Sequence, residues 1–399
     1  MRWVSGGVTA ARGFQAAGAI AGIKRSRKPD LALVVSDTPA VCAAALTTNR
    51  VKAAPILLTQ RRLKAGTARA VLLNSGCANC MTGNRGLADA VMLSRQAARA
   101  LRVLDSQVHV ASTGLIGRRL PLKKMQRAIP TLIQRLSRAG HRDAALGILT
   151  TDTMAKEAAV TCRLGGRWCC VGGMAKGSGM VAPSMATMLC VLTTDASIGQ
   201  RLLRELLSEA VETSFNRISI DGDMSTNDAV FLLANGRAGL TVRRGRPEAR
   251  QFAQMLTAVT QRLAYLLVKD GEGATRVATI EVLGARTEAD AKACAHRVAT
   301  SSLVRTMLAS GDPNVGRIAA AAGASGAWFR PERLEIRIGG YPVVRRGVAQ
   351  RLGEGLASRL LAPRELLIHI HLHVGRAQAR MIACDLTEAY VRINARYPT

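Results

Sequence analysis

Strand-like and helix-like segments are sorted along this chain rather than alternated, and that sorting limits its fold more than any other feature. The first 75 or so residues read as short apolar strands and turns: "LALVVSD", "VCAAALTT", "APILLT" and "ARAVLLNSG". The middle carries apolar residues at helical spacing in "GLADAVMLSRQAARAL" (86–101), in "PLKKMQRAIPTLIQRLSRAG" with an expected break or kink at Pro130, and in "RLLRELLSEAVETSFNRI" (201–218). Two more helical stretches follow, "EARQFAQMLTAVTQRLAYLLVKD" and "EADAKACAHRVATSSLVRTMLAS". The last 65 or so residues return to strands in "LEIRIGG", "ELLIHIHLHVG" and "ARMIACDLT". Grouped runs of this kind predict an α+β fold of layered sheets flanked by helices, not a doubly wound parallel sheet.

Composition narrows the class. A chain of 399 residues with 48% apolar residues has enough apolar surface for a large layered core. No long uncharged apolar run marks a membrane span, and the opening "MRWVSGGVTAARGF" lacks a signal-peptide core, so a cytoplasmic protein is expected. The net charge of +29 raises affinity for anions in general. It is spread over short clusters such as "KRSRK" (24–28), "GRRLPLKK" (117–124) and "RRGR" (243–246), and aromatic residues are only 3%. Stacking platforms for single strands are therefore scarce, and no helix-turn-helix, zinc-finger or RNP pattern is present. The charge reads as a solvated basic surface rather than a nucleic-acid site.

Two constellations suggest metals without requiring them. Cys77 and Cys80 form one C-x-x-C with no second to complete a zinc site, so free thiols are expected. His369, His371 and His373 alternate along a predicted strand, which puts them on one face. No acidic ligand is evident nearby, and the alternate residues Ile368, Ile370, Leu372 and Val374 make a buried face the simpler explanation. No metal and no bound cofactor is expected.

The segment "KGSGMVAPSMATML" (176–189) is different in kind. It places a single threonine, Thr187, after a glycine-rich turn and before an apolar strand. A Thr hydroxyl is a poor nucleophile unless a base takes its proton, and an N-terminal Thr supplies its own α-amine for that purpose. Such an amine has a pKa of about 7.7–8.0 and is available as a base near neutrality. To expose it, the chain must be cut between Ala186 and Thr187. The same hydroxyl is equipped to do this by attacking the preceding carbonyl.

This segment resembles the cleavage-and-nucleophile segment of the bifunctional ornithine acetyltransferase/N-acetylglutamate synthase family. Further blocks resemble that family in family order: "GGVTAARGFQAAG", "ASTGLIG" (111–117), "LTTDTMAKEA" (149–158), "SIDGDMSTNDA" (219–229), "VKDGEGATR" (268–276), "SGDPNVGRIAAAAG" (310–323) and "CDLTEAYVRINARYPT" (384–399). The likeness runs from end to end. It implies a self-cleaving Thr-nucleophile architecture, with residues 1–186 and 187–399 as two subunits that stay together and pair again into a tetramer of two of each.

The resemblance also implies a ping-pong reaction. Thr187 takes acetyl from N-acetylornithine and gives it to glutamate, with acetyl-CoA a second donor in bifunctional members. Thr113 and Gly114 match the oxyanion pair. Lys176, Thr151, Glu272, Asn394 and Thr399 match substrate-binding positions, with Thr150 an equally suitable residue type one position from Thr151. The chain departs from the family pattern at Ser184, where many members have Asn, at Val181–Ala182, and in the cysteines of "NSGCANC". Two other functions fit parts of the sequence: a related N-terminal-nucleophile amidase or aminopeptidase with water as acceptor, and a noncatalytic basic nucleic-acid scaffold.

Overall fold

The apolar stretch Leu31–Leu46 forms one long bent strand rather than the two strands expected of it. Its pairing with the next strand shifts register between Val35 and Ala40, around Pro39, which has no N–H to give to a ladder. The computed structural model describes residues 1–182, 188–312, 314–353 and 355–396. These divide into two compact units. The first contains residues 1–216 and 223–267, and the second 217–222 and 268–399, with the undescribed positions excepted.

The first unit is built on a nine-stranded sheet. Its strands include β1 (Arg2–Trp3), β2 (Phe14–Ala19), β3 (Leu31–Leu46), β4 (Thr67–Cys77), β5 (Val108–Leu115), β6 (Lys156–Leu164), β7 (Arg167–Lys176) and β8 (Leu189–Thr194). The order is β1-β6-β7-β8, then strand Ala229–Ala234, then β3-β4-β5, with β2 on the first half of β3. β4–β5 and β8 with Ala229–Ala234 are parallel pairs, and the other neighbours are antiparallel. Both faces of β3 are buried. Ala32 and Val34 enter one core with Phe14, Ile56, Met174 and Phe231, while Leu31, Leu33 and Val35 enter another with Leu93, Met125 and Ile129. Burial on both faces explains why the strand reads as a continuous apolar run.

Helices cover the second of these faces, and two of them depart from expectation. "APILLT" is not a strand but the start of helix Ala54–Arg62, with Pro55 in its first turn, where a missing N–H costs nothing. Helix Leu122–Gln134 runs through Pro130 instead of breaking there. The carbonyl that Pro130 leaves without a donor is that of Gln126, and Gln96 Nε2, on helix Gly83–Leu101, donates to it at 2.7 Å. Helices Gln200–Glu212 and Pro247–Lys269 follow their apolar patterns.

The second unit carries a seven-stranded sheet in the order Ile218–Ser219, Ala377–Cys384, Val277–Ala285, Glu365–His371, Glu335–Ile338, Tyr341–Arg345, Val348–Ala349. One face buries Ile280, Val282, Ile368 and Ile370 against Ala291, Cys294, Val298 and Met307. The single helix expected over 288–310 is two, Glu288–Thr300 and Ser302–Ser310. Ser301 ends the first and caps the second, its Oγ accepting the Val304 N–H. A C-terminal helix, Glu388–Arg396, is an element the strand reading of the tail did not include.

The histidine strand ends at His371, and His373 lies beyond it with φ of +53°. His369 meets Glu281 at 3.1 Å, and the His371 and His373 rings lie 3.6 Å apart. Among the described residues no group of three or more His, Cys, Asp or Glu is arranged to hold a metal ion. No described helix is long and apolar enough to cross a membrane. All nine cysteines are free thiols.

Candidate active site

Thr113 and Gly114 stand at the end of β5, where its ladder with β4 becomes irregular. Gly114 lies opposite Gly76, and the register shifts at Cys77, which lies opposite both Thr113 and Leu115. The Gly114 φ of +126° suits glycine, and a β-carbon there would collide with the backbone of Gly76 and Cys77. The irregularity falls beside the residue expected to supply an oxyanion N–H. Thr113 itself is buried.

Lys176 closes β7 and is 1% exposed. Its ammonium donates to Thr150 Oγ1 at 2.7 Å and to Thr113 Oγ1 at 3.4 Å. A Thr113 oxygen that accepts from an ammonium keeps its own O–H to donate, and the neighbouring positive charge makes that O–H a better donor toward a developing oxyanion. The choice between the two adjacent threonines also acquires geometry. Thr150 contacts Lys176, whereas Thr151 Oγ1 shares a 2.7 Å hydrogen bond with Ser178 Oγ.

Asp152 organises this cluster, and the motif reading gave it no role. Its Oδ1 accepts from Lys156 Nζ and from the Gly177 N–H, each at 2.7 Å. Its Oδ2 accepts from the Thr150 N–H at 3.0 Å and lies 3.6 Å from Lys176 Nζ. The side chains of Asp152 and Lys156 are fully enclosed. Burial pushes the Asp152 carboxyl up, but the Lys176 and Lys156 ammoniums and the Lys156 and Thr150 hydrogen bonds outweigh it and hold the group well below the usual carboxylate range. With two ammoniums around one carboxylate, the cluster carries an excess positive charge, the electrostatics a substrate carboxylate would complete. The sequence signal was present as Asp152 and Lys156, four apart, with Lys156 the first residue of β6.

After Lys176 the backbone turns sharply, with Gly177 at φ +153° and Met180 at φ +57°, a left-handed value uncommon for a non-glycine residue. Val181 and Ala182 are buried. Ser184, Ala186 and Thr187 lie outside the described residues, as does Thr399. The chain is described again from Met188, whose N–H donates to Asp228 Oδ1 at 2.9 Å. Asn227, next to that aspartate, donates to the carbonyls of Ala78 and Ser112 at 2.7 and 2.8 Å, which ties its loop to the ends of β4 and β5.

In the second unit, Glu272 and Asn394 come together although 122 positions separate them: Asn394 Nδ2 donates to Glu272 Oε2 at 2.7 Å. Glu272 sits in the turn between helix Pro247–Lys269 and strand Val277–Ala285. Gly273, at φ +69°, lets that turn lie against the backbone of helix Glu388–Arg396, and Thr387 Oγ1 donates to its carbonyl at 2.7 Å. Asp385 braces the turn by accepting from the Thr275 and Arg276 N–H groups.

The model of the ArgJ family matches residues 15–399. The chain is 46% identical to the arginine biosynthesis bifunctional protein ArgJ of a Synechococcus strain, over 99% of this chain and 98% of that protein. It is 45% identical to the protein of the same name from Symbiobacterium thermophilum, over the full length of both. Among solved structures, the ornithine acetyltransferase of Mycobacterium tuberculosis complexed with ornithine matches at 43% identity, with a TM-score of 0.43, over 47% of this chain and 99% of that one.

Proposed function

This chain belongs to the ArgJ family, and from that premise we propose that it transfers the acetyl group of N2-acetyl-L-ornithine to L-glutamate through an ester on Thr187. It is an acyltransferase of arginine biosynthesis. The chain cuts itself between Ala186 and Thr187 into an alpha piece (1–186) and a beta piece (187–399), and two of each assemble. The freed Thr187 amine takes the proton of its own hydroxyl as Oγ attacks the acetyl carbonyl, then returns it to the departing ornithine nitrogen. Glutamate enters with its amine neutral, attacks the ester and leaves as N-acetylglutamate, which regenerates the hydroxyl. Acetyl-CoA would enter as a substrate at the first step, and no bound cofactor is needed for either half-reaction.

The observation that carries this reading is the buried cluster at the ends of β5 and β7, with Lys176 donating to Thr113 and Thr150. It supports Thr113 and Gly114 as oxyanion donors, each worth about 2.7–4 kcal/mol where such donors have been removed. It supports Lys176 as partner of a substrate carboxylate, with Thr150 or Thr151 alongside. Glu272 and Asn394 are read as contacts to the substrate's ammonium end, and Thr399 as a further substrate contact. A hydrolase would use water in the second step, and an assay with acetylornithine alone against acetylornithine plus glutamate separates the two. A salt-sensitive gel shift without transferase activity would instead favour the nucleic-acid scaffold.

A denaturing gel of the purified protein tests the premise of the mechanism. Two bands summing to 42.3 kDa are expected, with Thr187 the new N-terminus. Under donor excess the beta piece should gain about 42 Da on that residue, the mass of one acetyl ester. Thr187→Ala should give one band and no activity. Two bands from that variant would remove the mechanism.

A further inference from the structure

Lys24 is a cation of the first unit that the cluster around Lys176 leaves unused. It lies in the connection between β2 and β3, and its aliphatic stem rests on Gly76: a β-carbon on that glycine would stand 2.8 Å from Lys24 Cγ. Gly76 is in turn the partner of Gly114 across the β4–β5 ladder. At the far end of the side chain, the ammonium donates to the Leu149 carbonyl at 3.0 Å. The next residue, Thr150, gives its N–H to Asp152 and takes the Lys176 ammonium on its hydroxyl. Lys24 therefore reaches from the strand ends that carry Gly114 to the turn that holds Lys176.

The fold of this connection leaves the ammonium without a counter-charge. Asp30, wholly buried, accepts the Ala21 and Ile23 N–H groups at 2.6 Å each and the Lys24 N–H at 3.1 Å. Both its oxygens are thus turned to backbone amides. Among the described residues no carboxylate lies within ion-pair distance of the Lys24 ammonium, and the Leu149 carbonyl is its one acceptor. An ammonium has three N–H donors. This one is half-buried, and burial lowers its pKa, against the pull of Asp30 and Asp152 and with the push of Lys28 and Lys176. A partly desolvated cation beside a cluster that already carries excess positive charge is completed by an anion.

Resting on the transferase reading above, we propose that Lys24 binds the side-chain carboxylate of the acceptor and so selects a dicarboxylic amino acid. Donor and acceptor differ in charge at the side-chain end: ornithine ends in an ammonium, glutamate in a carboxylate. A site that serves both in turn needs a partner of each sign. Lys176 is the partner of the carboxylate that the two have in common, and Lys24 is the cation that only the acceptor uses. Lys24 and Lys176 bind the Leu149 carbonyl and the Thr150 hydroxyl, groups of adjacent residues. The carboxyl carbons of an extended five-carbon dicarboxylate are ~5 Å apart, a span that lets one molecule meet both ammoniums. Glutamine has the shape of glutamate without its side-chain charge, so Lys24 discriminates against it.

The test compares glutamate with glutamine as acceptor for the assembled enzyme, by kcat/KM at saturating N-acetylornithine. The wild type should prefer glutamate. Lys24→Met keeps an apolar stem over Gly76 but carries no charge. It should lower that preference by on the order of 10- to 100-fold, the loss of one charged hydrogen bond, and the loss should appear in KM for glutamate. A lysine that merely clamps the Leu149 carbonyl would slow both acceptors alike, so an unchanged ratio in Lys24→Met overturns the proposal. So does a wild type that takes glutamine as readily as glutamate. Should Lys24→Met not fold, Lys24→Gln, which keeps an N–H donor, is read by the same ratio. A wild type that releases ornithine from acetylornithine no faster with glutamate than without it instead overturns the transferase reading, and this proposal with it.

Discussion

A single carboxylate between two ammoniums is where the chemistry of this protein is most exposed to one substitution. Asp152→Asn removes the counter-charge that Lys156 and Lys176 share but changes almost no volume. Breaking a buried pair in this way costs about 3–5 kcal/mol, to be read from urea midpoints. The sign of the pH dependence follows from the direction of the shift. A carboxyl held below its unfolded value contributes stability above the ordinary carboxylate range, and loses it as pH falls through that range toward the folded value. The wild type should therefore lose stability on acidification more steeply than Asp152→Asn. Lys176→Arg should not rescue what Lys176→Ala loses, because a planar fork does not replace a compact ammonium in a closed site with two hydroxyl acceptors. Both variants are expected to raise KM for acetylornithine at least tenfold, and a wild-type KM in either would remove Lys176 from the binding role.

Among the elements, β5 and the helix at Pro130 show how local rules are broken and compensated. Gly114→Ala forces a β-carbon against the backbone of Gly76 and Cys77 at a φ that L-residues avoid. The end of β5 has to move, so activity should fall by 10²-fold or more if that N–H serves an oxyanion. Thermal unfolding would separate this loss from global collapse. Helix Leu122–Gln134 survives its internal proline because Gln96 from the adjacent helix occupies the freed carbonyl. Gln96→Leu should destabilise the unit by about 1–3 kcal/mol, the cost of an unsatisfied carbonyl, and Pro130→Ala should recover most of that loss in the same background, because it returns an N–H to the Gln126 carbonyl. Equal effects of Gln96→Leu with and without Pro130 would refute the compensation.

For the whole molecule, the compact units and the proposed cleavage pieces divide the chain differently. β7 precedes position 186 and β8 follows it, yet they pair along six residues, and β3 pairs in the same way with Ala229–Ala234. A cut at 186–187 thus leaves one shared core in the first unit, with Met174 and Phe231 in a single cluster. Since backbone ladders and apolar burial join the pieces in addition to ion pairs such as Arg12–Asp195 and Arg237–Asp37, the pieces should co-elute in 1 M salt, where the Debye length is about 3 Å, and separate only in denaturant. Separation by salt alone would contradict this. The second unit carries Glu272 and Asn394, so Glu272→Ala should raise KM for acetylornithine while self-cleavage proceeds at the wild-type rate. Failure of that variant to cleave would tie Glu272 to the first reaction instead.

The sequence by itself determined the family and the α+β class and named candidate site residues, because the family's short blocks keep their order along the chain. The candidates Lys176 and Thr113, and Glu272 and Asn394, came from those blocks and lie in contact in the structure, and the longest helices were legible because their apolar spacing is set by their own geometry. Tertiary structure decided what depends on neighbours distant in sequence. "APILLT" became a helix through packing, Pro130 was tolerated because of Gln96, and Thr150 rather than Thr151 met Lys176. Asp152 and Asp228 are ordinary acidic letters in their motifs. Burial raises the proton affinity of both, and only the Lys176 and Lys156 ammoniums beside Asp152 reverse that, whereas the pulls of the Met188 N–H, Lys176 and Ser225 on Asp228 do not outweigh its burial.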